Sequence, residues 1–146
     1  MRWQDVRGNY TKPENLHLTL AFIGEYTDPD TVLGALAAIP ATPFAIALKG
    51  FGSFGNLFWA GIENCNELSA YVKHLRHSLA ERGIPFDRKK FSPHITLVRQ
   101  AVCGNELPRI HVSPAAMETR CISLMRSDRG KNGTIYTEVG GVDLSA

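Results

Sequence analysis

Two stretches of the chain alternate polar and apolar residues in the same way. The first is NLHLTLAFIG, ending at Gly24, and the second is SPHITLVRQ, beginning at Ser92. Alternation with a period of two is the signature of a half-buried strand, and it predicts strands over about 16–23 and 92–99. Helical periodicity appears elsewhere. Leu68, Val72, Leu75 and Leu79 form one apolar stripe, which predicts a helix over 66–83, closed by Gly83 with Pro85 just beyond. A second helix is expected from Asp28, a good N-cap followed by Pro29, to about Ile39 before Pro40. Short apolar runs predict strands over 44–49, 57–63, 119–127 and 134–142. Turns are expected over 50–55, where three glycines gather, and over 128–133, where Asn132-Gly133 is a turn pair. Residues 1–16 read as a polar lead-in without a strand. Residues 101–118, interrupted by Pro108 and Pro114, allow a short helix or an irregular crossing.

The order of these elements repeats. A His-bearing strand, a helical or irregular segment, a strand, a turn and a strand occupy 16–63 and again 92–142. The expected fold is therefore α+β and bilobal: one domain, 1–146, of two lobe-like halves, about 1–63 and 64–146, each built on an antiparallel sheet. A pseudo-two-fold axis between the halves would face the two His strands across a central cleft. The repeat also exposes a gap. A helix precedes the second His strand, whereas the matching N-terminal helix and strand of the first lobe are absent, and MRWQDV resembles the last turn of that helix. Such a loss would uncover apolar surface and a sheet edge, so reduced stability or a covering dimer is expected.

Composition narrows the class. Of 146 residues, 44% are hydrophobic and 21% charged, as in ordinary water-soluble domains. No apolar run approaches the roughly 20 residues of a membrane span, and the start has no apolar signal segment, so a cytoplasmic protein is expected. Three widely spaced cysteines, Cys65, Cys103 and Cys121, argue against a disulfide framework and predict buried, inert thiols. A net charge of +2 is too small to indicate nucleic-acid binding by itself. Arg88-Lys89-Lys90 is a local exception, just before the second His. It reads either as a lining for an RNA backbone or as a solvated basic loop.

The chemistry lies in His17-Leu18-Thr19-Leu20 and His94-Ile95-Thr96-Leu97. On a strand, His17 shares a face with Thr19 and His94 with Thr96. A single His-x-Thr in a strand is as readily a packing feature as a site; two copies in a duplicated unit point to a site. Free histidine titrates near pH ~6.5, so one neutral imidazole can take a proton from water while a protonated one gives a proton to a leaving oxygen. The Thr hydroxyls can donate hydrogen bonds to phosphoryl oxygens as charge gathers on them. This scheme suits a phosphodiester, above all a strained cyclic phosphate, and requires neither metal nor cofactor. A zinc site would need a third protein ligand, which neither motif offers. His74 and His77, one helical turn apart, read as solvated, and His111 carries no signal.

Several stretches resemble a known family. Lys12 to Gly24 (KPENLHLTLAFIG) and Phe91 to Arg99 (FSPHITLVR) are similar to the two motifs of the bacterial and archaeal RNA 2′,3′-cyclic phosphodiesterases, formerly called 2′-5′ RNA ligases, of the two-histidine phosphoesterase superfamily. GFGSF from Gly50 and LFWAG from Leu57 also resemble the family pattern. The resemblance implies hydrolysis of RNA 2′,3′-cyclic phosphate ends, or of nucleoside 2′,3′-cyclic phosphates, to 2′-phosphates by a monomeric enzyme without a cofactor. It implies His94 as the base activating water, His17 as the acid at the departing 3′ oxygen, and Thr19 and Thr96 on the phosphate; the residues themselves leave the order of acid and base open. It further implies that Phe22 and Arg99 lie near substrate, although strict alternation places both on the face opposite the histidines. They reach the site only if the strands bend, bulge or end there. Phe22 reads equally well as a core residue. Two other functions use the same residues: 2′-5′ joining of RNA ends, and a non-catalytic RNA-end binding module with an incomplete first lobe.

Overall fold

In the computed structural model, which describes residues 6–63, 65–103, 115–131 and 133–144, the chain gathers into two compact units interleaved in sequence. One holds Met1–Thr19, Ala47–Glu63 and Ser92–Ala116, and the other Leu20–Ile46, Asn64–Phe91 and Met117–Ala146. These units do not coincide with consecutive halves at 1–63 and 64–146. Both His-x-Thr motifs fall in the first.

The first unit is built from antiparallel strands. They are β1 (Val6–Tyr10), β2 (Phe44–Phe54), which enters from the second unit, β3 (Leu57–Ile62) and β4 (His94–Cys103). With β5 (Ala116–Thr119) the order in the sheet is β1-β4-β3-β2-β5. The lead-in before the first motif, read as polar and without a strand, holds β1, on the edge of β4. The proposed helical turn MRWQDV is cut short, since Val6 is already in a strand and residues 1–5 lie outside the described residues. The turn expected over 50–55 is also narrower. β2 runs on through Phe54, and only Gly55-Asn56 turns: Gly52 pairs with Trp59 of β3, while Gly50, with a φ of 78°, lies in the register shift between Leu48 and Phe51 and does not end the strand.

One face of these strands is the core: Phe58, Ala60, Leu97 and Val98 are buried together, with Tyr10, Leu48, Phe51 and Ile95 packed against them. Leu97 and Val98 are neighbours in sequence, so both cannot point inward on a regular strand. The ladder shows how they do. Thr96 pairs with Trp59 and Val98 with Phe58, which leaves Leu97 as the extra residue of a bulge in β4.

The second unit carries the helices. α1 (Pro29–Ala37) starts as expected: Asp28 Oδ1 accepts from the Thr31 N–H at 3.2 Å, and Asp28 Oδ2 from the Thr31 hydroxyl at 2.6 Å. α2 (Asn66–Glu81) buries Leu68, Tyr71, Val72, Leu75 and Leu79, the stripe read from the sequence with one aromatic added. It ends at Gly83, whose φ of 67° is the left-handed conformation that favours glycine, and the Ile84 N–H closes on the Leu79 carbonyl. The helices are joined by buried Ser78, whose hydroxyl donates to the Ala35 carbonyl at 2.8 Å. β6 (Cys121–Gly130) and β7 (Gly133–Asp143) form a two-stranded ribbon against which α1 packs. Cys121 is exposed, so the expectation of buried thiols fails there; it lies on the outward side of the ribbon, beside buried Ile122. His74 and His77 are exposed, the latter paired with Glu81 at 3.1 Å. His111 lies outside the described residues. No helix among the described residues is long and apolar enough to cross a membrane.

Candidate active site

The strand expected over 16–23 is reduced to a single bridge. After β1 the Thr11 N–H donates to the Leu97 carbonyl, the chain makes a 3₁₀ turn at Pro13–Asn15, and it returns to the same side of β4 at Leu18. Leu18 pairs antiparallel with Ile95. That one pair defines the arrangement of both motifs. Continued by one residue on each side, its register sets His17 opposite Thr96 and Thr19 opposite His94. Ile95 packs against the core, so His94 and Thr96, on either side of it in β4, share the other face, and the same alternation about Leu18 would set His17 and Thr19 beside them. Directly opposed residues have Cβ atoms about 4.5–5.5 Å apart, and diagonal ones lie about 7–8 Å apart. His17 and His94 are the diagonal pair. The motifs were expected to face each other from the two halves; both fall in one unit and meet at the antiparallel Leu18–Ile95 bridge.

The two imidazoles are held identically. The His17 Nδ1–H donates to the Asn15 carbonyl at 2.6 Å, and the His94 Nδ1–H donates to the Ser92 carbonyl at 2.6 Å. A carbonyl only accepts, so Nδ1 must carry the proton in each ring. This fixes the tautomer and leaves proton exchange to Nε2. His17 and Thr19 are exposed, while His94 and Thr96 are half-buried.

Aromatic rings flank His94. Trp59, paired with Thr96 in the ladder, lies with its ring centroid 6.1 Å from the imidazole. Phe54 meets the imidazole nearly at a right angle at 5.5 Å and contacts Trp59 at 5.3 Å. Room for the indole comes from Gly52, opposite Trp59: a Cβ there would fall 2.2 Å from the ring. Neither Phe54 nor Trp59 was singled out from the sequence, although both lie in the stretches that resemble the family. Their spacing on two strands joined by the Gly55-Asn56 turn was the available signal.

Strict alternation put Arg99 on the core face. The Leu97 bulge reverses that: Val98 takes the core position opposite Phe58, and Arg99 shares the histidine face, exposed and opposite Asn9 of β1. Phe22 belongs to the second unit and is 63% exposed, so it is not a core residue; its carbonyl accepts from the Asp87 N–H at 2.8 Å. Among the described residues no group of three or more His, Cys, Asp or Glu side chains is placed to hold a metal ion.

Residues 1–131 match the model of the 2′-5′ RNA ligase superfamily. The chain belongs to this superfamily. An RNA 2′,3′-cyclic phosphodiesterase of Aquifex aeolicus is 32% identical over 92% of this chain and 80% of its own length. One from Thermus thermophilus is 33% identical over 86% of this chain and 70% of its own. Among solved structures, E. coli LigT complexed with 3′-AMP superposes with a TM-score of 0.80 at 25% identity, covering 95% of this chain and 82% of that one. The α+β architecture is therefore that of the superfamily.

Proposed function

We propose that residues 1–146 act as one two-histidine phosphoesterase domain that hydrolyses RNA 2′,3′-cyclic phosphate ends to 2′-phosphates. The observation that carries this reading is the Leu18–Ile95 pair between the two His-x-Thr motifs, together with the matching Nδ1 bonds of the two histidines. In an in-line displacement the attacking and leaving oxygens lie on opposite sides of phosphorus. A base and an acid must therefore flank the phosphoryl group. Two imidazoles on a diagonal of about 7–8 Å, each presenting Nε2, meet that need.

Neutral His94 takes a proton from water as its oxygen bonds to phosphorus. The bond from phosphorus to the 3′ oxygen breaks, and protonated His17 gives that oxygen its proton; this order of base and acid follows the family resemblance. Thr19 and Thr96, each opposite the other motif's histidine, donate to the equatorial oxygens. Arg99 on the same face as His94 supplies a cation for the phosphate charge, and the family resemblance implies that Phe22, an exposed ring, serves the substrate. No step requires a metal.

Turnover of a nucleoside 2′,3′-cyclic phosphate tests the reading. His17→Ala and His94→Ala are each expected to lower kcat by about 10²–10⁴-fold, with the wild-type rate bell-shaped in pH and unaffected by chelator. Either variant retaining activity within about tenfold of wild type overturns it. Product linkage at high concentrations of RNA ends separates hydrolysis from 2′-5′ joining by the same groups.

A further inference from the structure

The second unit holds a basic loop whose construction the chemistry above does not use. Arg88, Lys89 and Lys90 follow one another on the surface, and none of their side chains forms an ion pair among the described residues. The loop beneath them is tied down at several points. Arg76 of α2 donates from Nη2 to the Lys89 carbonyl at 2.7 Å. Asp87 Oδ1 accepts from the Lys89 N–H at 2.9 Å, and the Asp87 N–H donates to the Phe22 carbonyl at 2.8 Å. Phe86 lies under two guanidinium groups, Arg88 at 4.6 Å and Arg76 at 5.8 Å from its ring centroid.

Each contact bears on what the loop binds. The only acid in the loop, Asp87, accepts from backbone and forms no ion pair with the three cations among the described residues, so their side chains stay available to a ligand. A guanidinium stacked on an aromatic ring keeps its N–H edges outward, the geometry that grips phosphate oxygens in pairs. A backbone already fixed loses little conformational entropy when a ligand docks. The Phe22 carbonyl bond brings an exposed aromatic residue to the same loop, and cations beside an exposed ring are the combination that holds single-stranded nucleic acid, phosphates on one and bases on the other. Lys90 precedes His94 by four residues, at most about 14 Å of extended chain.

We propose that the loop 86–90 is a second phosphate-binding site, which holds the backbone of a single-stranded RNA upstream of its reacting end. The choice of RNA rests on the cyclic phosphodiesterase reading; the loop makes the enzyme prefer chains over mononucleotides.

The triple variant Arg88→Gln, Lys89→Gln, Lys90→Gln tests this, since it removes three exposed charges and keeps the backbone bonds. Fluorescence anisotropy with a 3′-hydroxyl RNA decamer measures binding apart from catalysis. Three phosphate contacts on a single strand contribute about 0.7 each to the salt slope, so the variant's slope should be shallower by about 2 and its affinity about 10–100-fold weaker near 0.1 M salt. The ratio of kcat/KM for a cyclic-phosphate decamer to that for a nucleoside 2′,3′-cyclic phosphate should fall by a similar factor. Unchanged affinity and slope overturn the proposal, as does an equal loss on decamer and mononucleotide, which would place the charges at the reacting phosphate. If the wild type turns over neither substrate, the enzymatic reading fails while anisotropy still decides the loop.

Discussion

Gly52→Ala is a small change with a calculable result. Gly52 stands opposite Trp59 across β2 and β3, and a Cβ there would lie 2.2 Å from Cζ2 and 2.3 Å from Cη2 of the indole. Carbon atoms in contact prefer about 3.5–4.0 Å, so the ring must retreat by about 1 Å or more. It retreats toward Phe54 at 5.3 Å and His94 at 6.1 Å, which already occupy its surroundings. Overpacking of this kind costs about 1–3 kcal/mol. For a chain of 146 residues each kcal/mol moves Tm by roughly 2–4 °C, so a fall of about 2–12 °C is expected.

Thermal melts and tryptophan emission check this together. The chain has two tryptophans, so a Trp3→Phe background isolates the Trp59 signal. Emission should shift, and kcat on a nucleoside 2′,3′-cyclic phosphate should drop more than KM rises, because the displaced ring disturbs His94 rather than a binding contact. Adding Trp59→Phe removes the atoms that clash, and the pair should show a coupling of about 0.5–3 kcal/mol in a double-mutant cycle. A Tm within about 1 °C of the parent with unchanged emission would refute the reasoning, since the indole would not then cover Gly52.

Other expectations follow from single features. Arg99→Ala should lower kcat/KM on a cyclic phosphate about tenfold or more with Tm unchanged, as for an exposed cation on the histidine face; a drop in Tm without loss of activity would return Arg99 to the core face. Ser78→Ala should destabilise by about 1–3 kcal/mol in urea melts, because the buried Ala35 carbonyl loses its donor and Arg82 loses an acceptor. The Thr31 hydroxyl and N–H hold the Asp28 carboxyl below its ordinary 3.8, so its stabilisation is full above that value and is lost as pH falls through the lower folded one. Asp28→Asn should therefore flatten that part of the acid limb of Tm against pH, and an unchanged acid limb would count against the cap.

Much of this was readable from residue order because it depends on local periodicity. The α2 stripe and the Asp28 cap are properties of a few neighbouring residues, and each appears where expected. What was not legible depends on partners far apart in sequence. β1 looked like a lead-in because Val6–Tyr10 carries Arg7, Gly8 and Asn9, and only pairing with β4 makes it a strand. The narrow turn at Gly55-Asn56 was hidden among neighbouring glycines, one of which clears space for Trp59 and does not bend the chain. Phe54 and Trp59 were present in recognised stretches, yet their approach to His94 is set by the β2–β3–β4 register, which single-strand patterns do not encode. The identical Nδ1 bonds were likewise invisible: they need the chain to curl back over two residues just before each histidine.

The repeated motif links the two residues that alternation misplaced. Phe22 follows His17 by five positions, and Arg99 follows His94 by five. They are the same position in the two copies, and an odd offset on a regular strand must put it on the face away from the histidine. Each copy escapes that rule by a different route. In the second, the extra Leu97 bulges out of the ladder, sends two consecutive side chains into the core and turns Arg99 over to the histidine face. In the first, pairing is confined to Leu18, so nothing beyond it is held to a strand's alternation, and Phe22 emerges 63% exposed. The same position after each motif is thus a cation in one stretch and an aromatic ring in the other, the two side-chain types that answer a nucleotide's phosphate and its base. The one pair the two motifs share, Leu18–Ile95, lies between His and Thr in each, and the loss of regular pairing beyond it frees the fifth position.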